Sequence, residues 1–420
     1  MSKPAILGGK PVTKSLLGRA RLSRRADLER KYLLQAYESG VWDDWPYHGD
    51  RSQAARFTRE WAAFNGSKYC VLVSDGTHSM QLALEALEIG PGDEVIVPGL
   101  TWQATASAVV NVNAVPVLVD VDPETCCVDP AKVEEAISPR TRAMIPVHLY
   151  HRMADMDALL RIARKHKLHV IEDCAHTHGS RWDRKGAGTL GAFGSFSHQR
   201  SKLVNSGEGG SLLMQDEALY WRTLSLRACG HEFKPGFKMH SDNYRVTSFE
   251  AAVLRGQLAA HRRNAPLINR SGLALDRAVA AAPGVRPLRR NPHITRQCGY
   301  CFVLLYDKEA FDGLSAAMFR KALGAELGVG FGSTYTPLSH SELYYPHTKK
   351  RHQLSRAYVR AITPGRWRLP QCDALWKDRA VVTSWGIYAC PPQRAHLLTD
   401  AIARLYECRD ELRSADQQGA

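Results

Sequence analysis

Residues 69–87 read YCVLVSDGTHSMQLALEAL and combine an apolar run, a glycine turn and an amphipathic run. The run YCVLVS (69–74) is typical of a buried strand, and the apolar residues of 78–89 recur with helical spacing. Gly76 allows a tight turn, and Thr77 stands where the helix begins. The stretch predicts a strand–turn–helix unit. Its helix start offers either an anion site or an ordinary N-cap at Thr77.

The same alternation continues along the chain and predicts the fold class. Apolar strands are expected at 94–99, 115–122, 141–149 and 168–175, and helices at 104–113, 130–138 and 155–166. Strands that are apolar throughout and alternate with helices indicate an α/β fold with a parallel sheet covered on both faces. Ligands of such sheets bind at the carboxyl ends of the strands. The residues just after each strand are therefore the candidates for a functional site.

Length and texture indicate more than one domain. The chain has 420 residues, which is long for a single core. A predicted long helix ends beyond residue 265 and is followed by a loop rich in proline and arginine. The strand and helix predicted after this loop no longer continue the alternation of strands and helices seen before it. We expect an N-terminal segment at 1–55, a large α/β domain at 56–265 and a small α+β domain at 266–420.

Composition argues against several classes of protein. The formal charge is +14, but the basic residues are spread rather than gathered in a patch, which argues against a nucleic-acid partner. No apolar run is long enough to span a bilayer, and the N-terminus does not read as a secretory signal, so we expect a cytoplasmic protein and no membrane partner. The ten cysteines are expected to be reduced. Cys298 and Cys301 form one CxxC on a predicted strand, which is too few ligands for structural zinc, and no metal is expected.

Three residues near the predicted ligand edge can carry chemistry. Lys202 lies in HQRSKLVNSGEGG (198–210), and a desolvated lysine there can form a Schiff base with a carbonyl. Asp173 follows a buried strand, where a carboxylate needs a cation or donors unless it is a helix N-cap. Trp102 can stack on a flat ring, although a core tryptophan is the alternative.

Two further residues complete the set. Ser197 is placed to donate to an anion, and His176 can contact an oxygen of a cofactor, although a structural histidine is the alternative for His176. A phosphate loop, an aromatic residue, an acid and a lysine follow one another along the chain. Together they match what pyridoxal 5'-phosphate requires of a protein.

The motifs also carry a family resemblance that covers nearly the whole chain. The stretches SDGTHSMQLALEAL, DEVIVPGLTWQATASAV, IEDCAHTHGSRW, FSHQRSKLVNSGEGG and NYRVTSFEAAVLRGQL resemble the sugar aminotransferases among fold type I pyridoxal-phosphate enzymes, the DegT/StrS-like family. The resemblance implies a large domain with a mainly parallel seven-stranded sheet and a smaller C-terminal α+β domain.

The resemblance also implies residue roles. It makes Lys202 the Schiff-base lysine, Asp173 the partner of the pyridinium nitrogen and Trp102 the stacking residue. His176 would lie near the phenolic oxygen of the ring. The phosphate ligands would be Gly76, Thr77 and Ser197. Asn243 matches an asparagine that reaches the cofactor phosphate of the other subunit, which implies a homodimer with shared active sites.

Three features, LGGKPV, VPGLTW and YTPLSHSELYYPHTKKRH (335–352), lean toward the aminocyclitol branch, the glutamine:scyllo-inosose aminotransferases. We therefore expect an amino donor, glutamine or glutamate, and a keto-cyclitol or keto-sugar acceptor. The alternatives are a 3-amino-5-hydroxybenzoate synthase-like enzyme and a nucleotide-ketosugar aminotransferase. His151, Arg152 and the stretch 381–392 depart from the pattern of the family, and we expect the substrate to be selected there.

Overall fold

The computed structural model describes residues 3–418, apart from the side chain of Tyr47. Its strands are β1 Tyr69–Val73, β2 Glu94–Pro98, β3 Val115–Val119, β4 Thr141–Met144, β5 His169–Asp173, β6 Arg181–Trp182, β7 Lys185–Gly186, β8 Phe193–Ser197, β9 Gly210–Met214, β10 Val285–Pro287, β11 Ile294–Arg296, β12 Cys301–Tyr306 and β13 Ala380–Ser384. These strands form three sheets, and the largest of them has seven strands.

The helices cover the faces of these sheets. They are α1 Ala26–Ser39, α2 Gln53–Asn65, α3 Gly76–Ala86, α4 Ala104–Asn111, α5 Pro130–Glu135, α6 Met156–His166, α7 Glu217–Arg227, α8 Ser248–Ala280, α9 Ala316–Leu327, α10 Arg356–Ile362, α11 Pro370–Ala374, α12 His396–Glu407 and α13 Arg409–Gln417. A π-helical turn, Leu375–Arg379, directly follows α11. Short 3-10 turns occupy 5–7, 46–51, 346–348, 350–352, 364–366, 385–389 and 392–394.

The seven-stranded sheet has the order β1-β9-β8-β5-β4-β2-β3. Neighbours from β8 to β3 pair in parallel, and β9 runs antiparallel to both β1 and β8. Every residue of β2 is buried, as its apolar sequence requires of a strand covered by helices on both faces. The predicted α/β fold with a mainly parallel sheet of seven strands is confirmed.

A second sheet, β10-β12-β13, is antiparallel and packs with α9 and α12 in the C-terminal part of the chain. The 33-residue helix α8 joins the two parts. Its Ala251 and Leu254 pack in the core of the large sheet, whereas Ile268 and Leu275 pack in the core of the second sheet. The predicted boundary at residue 265 falls inside α8 and stays a prediction.

Strand β5 is anchored at its carboxyl end by the buried Glu172. The Glu172 carboxylate accepts hydrogen bonds from three backbone N–H groups within 188–191 and lies 3.0 Å from His148 Nε2. A buried charge needs several such partners. The His148–Glu172 pair therefore fixes the backbone that leads into Asp173.

All ten cysteines are free thiols. Cys301 opens β12, whereas Cys298 lies before that strand, so only one cysteine of the CxxC is on the predicted strand. Within residues 3–418, no helix combines the length and the apolarity that crossing a bilayer requires.

Candidate active site

A cavity of about 640 Å³ lies at the carboxyl ends of the parallel strands. Seven of the eight candidate site residues line it, namely Gly76, Thr77, Trp102, Asp173, His176, Ser197 and Lys202. They come from the ends of β1, β2, β5 and β8 and from the segment after β8. The structure therefore brings these seven candidates together at the carboxyl ends of the strands, where ligands of parallel sheets bind.

One end of the cavity is a small cup at the start of α3. The Asp75 side chain caps this helix, because its Oδ1 accepts from the N–H groups of Thr77 and His78 at 2.9 Å each. The alternative of an N-cap at Thr77 is therefore wrong, and the Thr77 hydroxyl remains available to a ligand. A Cβ on Gly76 would lie 2.8 Å from Ser197 Cβ, so the cup requires glycine at this position.

Asp173 is the last residue of β5 and is 5% exposed. Its Oδ2 accepts from Thr105 Oγ1 at 2.9 Å, and its Oδ1 accepts from the Ala175 N–H at 3.1 Å. Burial raises the pKa of the Asp173 carboxyl, and these two donors act in the opposite direction. The carboxylate borders the cavity and is suited to a cationic N–H donor.

Lys202 enters the same cavity from the turn that follows β8. Burial lowers the pKa of the Lys202 ammonium to about 8, and the nearby Asp173 opposes that shift. A substantial fraction of Lys202 is thus neutral amine near pH 7 to 8, as a nucleophile or a base requires.

Tyr300 supports both Lys202 and His176. The Lys202 ammonium lies 4.2 Å from the centre of the Tyr300 ring, in cation–π geometry. The ring also stacks on His176 at 4.3 Å between centroids, and its hydroxyl donates to Ser201 Oγ at 3.0 Å. The Tyr300 ring therefore contacts both the Lys202 ammonium and the His176 imidazole.

His176 is buried and neutral. Its Nδ1 accepts from the Tyr150 N–H at 3.2 Å, and its Nε2 lies 3.2 Å from the Tyr335 hydroxyl. Burial lowers the pKa of His176 well below its usual value. Because Nδ1 accepts, the ring hydrogen is on Nε2 and donates to Tyr335. The hydroxyl hydrogen of Tyr335 is then free to donate into the cavity.

Trp102 lies in the loop after β2 and is 47% exposed. Its ring is tilted against Tyr335, with 5.6 Å between centroids. The tryptophan is therefore a cavity wall with an open face and not a core residue.

Sequence reasoning missed three contributors, Thr105, Tyr300 and Tyr335. Tyr335 opens the YTPLSH motif, and Tyr300 lies inside the CxxC, but neither position marks its neighbours in space. Thr105 lies in the first turn of α4, where its side chain reaches Asp173.

The expectation that His151 and Arg152 select the substrate is corrected by the structure. Neither residue lines the cavity, and both are about 1% exposed. The Arg152 guanidinium donates to Asp276 Oδ2 at 3.0 Å, to Gln297 Oε1 at 2.5 Å and to the carbonyl of Leu288 at 2.6 Å. A buried charge paired in this way joins the large domain to the C-terminal part.

The C-terminal stretch does reach the site. Trp385 and Gly386 line a second cavity of about 400 Å³, and Lys202 lines the same cavity. Asn243 is exposed and lies outside both cavities of this chain, so its proposed reach toward a second subunit stays a prediction.

A family model described as the DegT/DnrJ/EryC1/StrS aminotransferase family matches residues 26–384. The L-glutamine:2-deoxy-scyllo-inosose aminotransferase of Streptoalloteichus tenebrarius is 39% identical over 91% of this chain and 93% of its own length. The protein with the same name from Micromonospora echinospora is 40% identical over 76% of this chain and 79% of its own length.

Solved structures agree with these relatives. The 3-amino-5-hydroxybenzoic acid synthase is 31% identical, with a TM-score of 0.75, and the match covers 90% of this chain and 96% of the synthase. DesV from S. venezuelae is 29% identical, with a TM-score of 0.74, over 91% of this chain and 95% of its own.

Proposed function

The chain belongs to the DegT/DnrJ/EryC1/StrS aminotransferase family, and we propose that it uses pyridoxal 5'-phosphate to move an amino group from L-glutamine to a keto-cyclitol. One observation carries the proposal: Lys202 and Asp173 border a single cavity that also holds the Gly76–Ser197 cup and Trp102. The printed name of the 39% identical relative supports the choice of glutamine and of an inosose-type acceptor.

The residues fit this cofactor. The Thr77 and Ser197 hydroxyls border a cup too narrow for a Cβ on Gly76, and hydroxyls at a helix start suit a phosphate. Asp173 is a buried carboxylate, and burial raises its pKa. A cation beside it, such as a protonated ring nitrogen, would lower that pKa again and stabilise the ionised form. Trp102 presents a flat face to the cavity. The Tyr335 hydroxyl, which accepts from His176 Nε2, supplies a hydrogen-bond donor for an oxygen on the ring.

When bound, pyridoxal phosphate supplies an aldehyde that condenses with amines and a protonated ring that withdraws electrons. Asp173 would hold the proton on the ring nitrogen of the bound cofactor. In the donor half of the reaction, Lys202 Nζ removes the α-proton of the amino acid. In the acceptor half, Lys202 Nζ delivers a proton to the carbon that was the carbonyl of the acceptor. Its pKa of about 8 allows Lys202 to take up and release protons near neutral pH.

A homodimer is part of the proposal. The exposed large side chains Leu34, Tyr37 and Trp42 belong to α1 and the loop after it, and the rings of Tyr37 and Trp42 stack. Grouped exposed aromatics of this kind mark protein contacts. A second copy placed there would cover them, and the family resemblance assigns Asn243 to the cofactor phosphate of that second copy. We also propose a cytoplasmic location, where the ten free thiols would stay reduced.

The test supplies ¹⁵N-amino glutamine with a panel of keto-cyclitols and nucleotide-ketosugars and follows the amine product by mass. We expect a labelled amino-cyclitol with the wild-type protein and with the control Lys68→Ala, an exposed lysine. Lys202→Ala should give none. Labelled product from a nucleotide-ketosugar alone, or an aromatic product without a labelled amine, would replace the proposal with one of the two alternatives.

A further inference from the structure

A third cavity, of about 470 Å³, adjoins the active site. It shares Thr101, Trp102 and Tyr335 with the cofactor cavity, so a ligand in one can reach the other. Its remaining walls come from 334–343, from Gln103 and from Trp376. We refer to it as the Trp102–Trp376 cleft.

The Trp376 wall is built on an unusual backbone. Trp376 lies in the π-helical turn Leu375–Arg379, and its carbonyl accepts a hydrogen bond from Ser333 Oγ. Turns of this kind are rare and frequent at functional sites. The indole of Trp376 and the half-exposed Trp102 thus both line this cleft.

A histidine–aspartate pair completes the cleft. His340 Nε2 lies 3.2 Å from Asp373 Oδ1, and the His340 ring stacks on Trp376 with 6.1 Å between centroids and 20° between planes. The His340 side chain is 47% exposed, so it has room to meet a ligand. The contact with Asp373 involves Nε2, so the other ring nitrogen of His340, Nδ1, can meet a ligand hydroxyl.

The charge of the cleft is acidic, although the chain carries +14. Glu342 lines it, Asp373 lies behind His340, and none of the described residues that line it is lysine or arginine. A phosphate or a diphosphate in this place would meet the Glu342 carboxylate, and none of the described lining residues is a lysine or arginine that could offset the repulsion. A ligand without charge avoids that cost.

We propose that the Trp102–Trp376 cleft is the acceptor site and that it takes an uncharged, polyhydroxylated six-membered ring. This inference rests on the proposed transamination. The C–H faces of such a ring pack on the indoles, because aromatic side chains offer a large apolar face. Its hydroxyls pair with His340 and Thr336, and the carbonyl points past Tyr335 toward Lys202. A phosphorylated acceptor would place its anion near Glu342, with no lysine or arginine among the described lining residues to pair with it.

The first experiment measures binding without turnover. Scyllo-inositol has no carbonyl and cannot react, and its binding to the apoprotein is followed by saturation-transfer NMR. We expect Trp376→Leu and His340→Ala to weaken binding by about tenfold or more, since each removes a direct contact. Trp221→Leu and His396→Ala change matched residues that line none of the three cavities and should bind as the wild type does.

The second experiment separates the two halves of the reaction. Glutamine alone, added to the enzyme loaded with pyridoxal phosphate, should bleach its visible absorbance in the wild type and, at the same rate, in the control variants Trp221→Leu and His396→Ala. The KM for scyllo-inosose should rise by about tenfold or more in the two cleft variants only. Failure of the glutamine half in the wild type would refute the proposed function. An intact glutamine half with unchanged acceptor KM and inositol binding would refute the cleft.

The third experiment concerns charge. The wild type should use scyllo-inosose in preference to a phosphorylated inosose. In the double variant Glu342→Gln, Asp373→Asn, the ratio of kcat/KM for scyllo-inosose to kcat/KM for the phosphorylated inosose should be smaller than in the wild type, because the variant removes the two carboxylates. A wild type that prefers the phosphorylated acceptor would overturn the assignment.

Discussion

Replacing Tyr300 with leucine should lower the pKa of Lys202. In the structure the ammonium lies 4.2 Å from the centre of the Tyr300 ring. The face of the ring attracts the charged form of the lysine and not the neutral amine. Leucine keeps most of the volume of the side chain and removes this attraction, so the neutral amine becomes more favoured.

The size of the shift follows from the contact. A cation–π contact contributes about 0.5 to 2 kcal/mol, depending on how far it is desolvated. One pKa unit corresponds to about 1.4 kcal/mol, so the loss amounts to roughly 0.4 to 1.5 units. Burial already holds the pKa of Lys202 at about 8. In Tyr300→Leu it should fall to roughly 7.

The assay is competitive acetylation of the apoprotein with acetic anhydride between about pH 6 and about pH 10. Peptide mass spectrometry quantifies the label on Lys202 and, in the same digest, on the exposed Lys68 as an internal reference. Tyr300→Phe is the matched control, because it keeps the ring and loses only the hydrogen bond to Ser201. Its Lys202 should titrate as in the wild type.

Two results would refute this reasoning. If the pKa of Lys202 rises in Tyr300→Leu, water has entered and solvation outweighs the lost contact. If Tyr300→Phe shifts the pKa as far as Tyr300→Leu does, the Ser201 hydrogen bond and not the ring sets the pKa.

Asp173→Ala should lower turnover by about a hundredfold or more in steady-state assays, since the ring nitrogen loses its partner, and turnover at the wild-type rate would contradict that role. Gly76→Ala places a Cβ 2.8 Å from Ser197 Cβ and should weaken retention of pyridoxal phosphate on dialysis by about tenfold, while retention like the wild type would show that the cup can widen. His198 and His261 are buried, and burial lowers the pKa of each to about 4. Between about pH 6.5 and about pH 4 these two histidines are protonated in the unfolded chain but stay neutral in the folded one. The free energy of unfolding should therefore fall as the pH is lowered through this range, by about 3 kcal/mol for each histidine. Urea unfolding across that range measures the slope, and His198→Gln should flatten it, whereas an unchanged slope would show that other groups cause it.

The positions at strand ends were predictable from the sequence. Asp173, Ser197 and Gly76 each follow or end an apolar strand, and parallel strands bring their carboxyl ends to one edge. The order along the chain was therefore enough to group them. The site of Trp102 was predictable for the same reason, although its exposed face was not.

Contacts between distant parts of the chain were not predictable. Tyr300 and Tyr335 lie in the C-terminal part, and no local pattern shows that they fold back over His176. The same limit explains the error at Arg152. Its departure from the family pattern suggested substrate contact, but its partner Asp276 is 124 residues away and could not be read from sequence. A buried arginine needs such a partner.

Charge shows a different limit. The net charge of +14 is compatible with an anionic substrate, whereas the Trp102–Trp376 cleft is lined without lysine or arginine among the described residues. The net charge of a chain bears on its solubility and on long-range attraction of charged ligands, and it does not determine the charge of a single pocket.

The most direct test of the central claim is reduction of the loaded protein with borohydride, followed by proteolysis and mass mapping of the pyridoxyl label. Lys202, with its lowered pKa and its place opposite Asp173, should carry the label, and the yellow colour should bleach in step. A label on any other lysine, or a protein that takes up no pyridoxal phosphate, would contradict the assignment of Lys202.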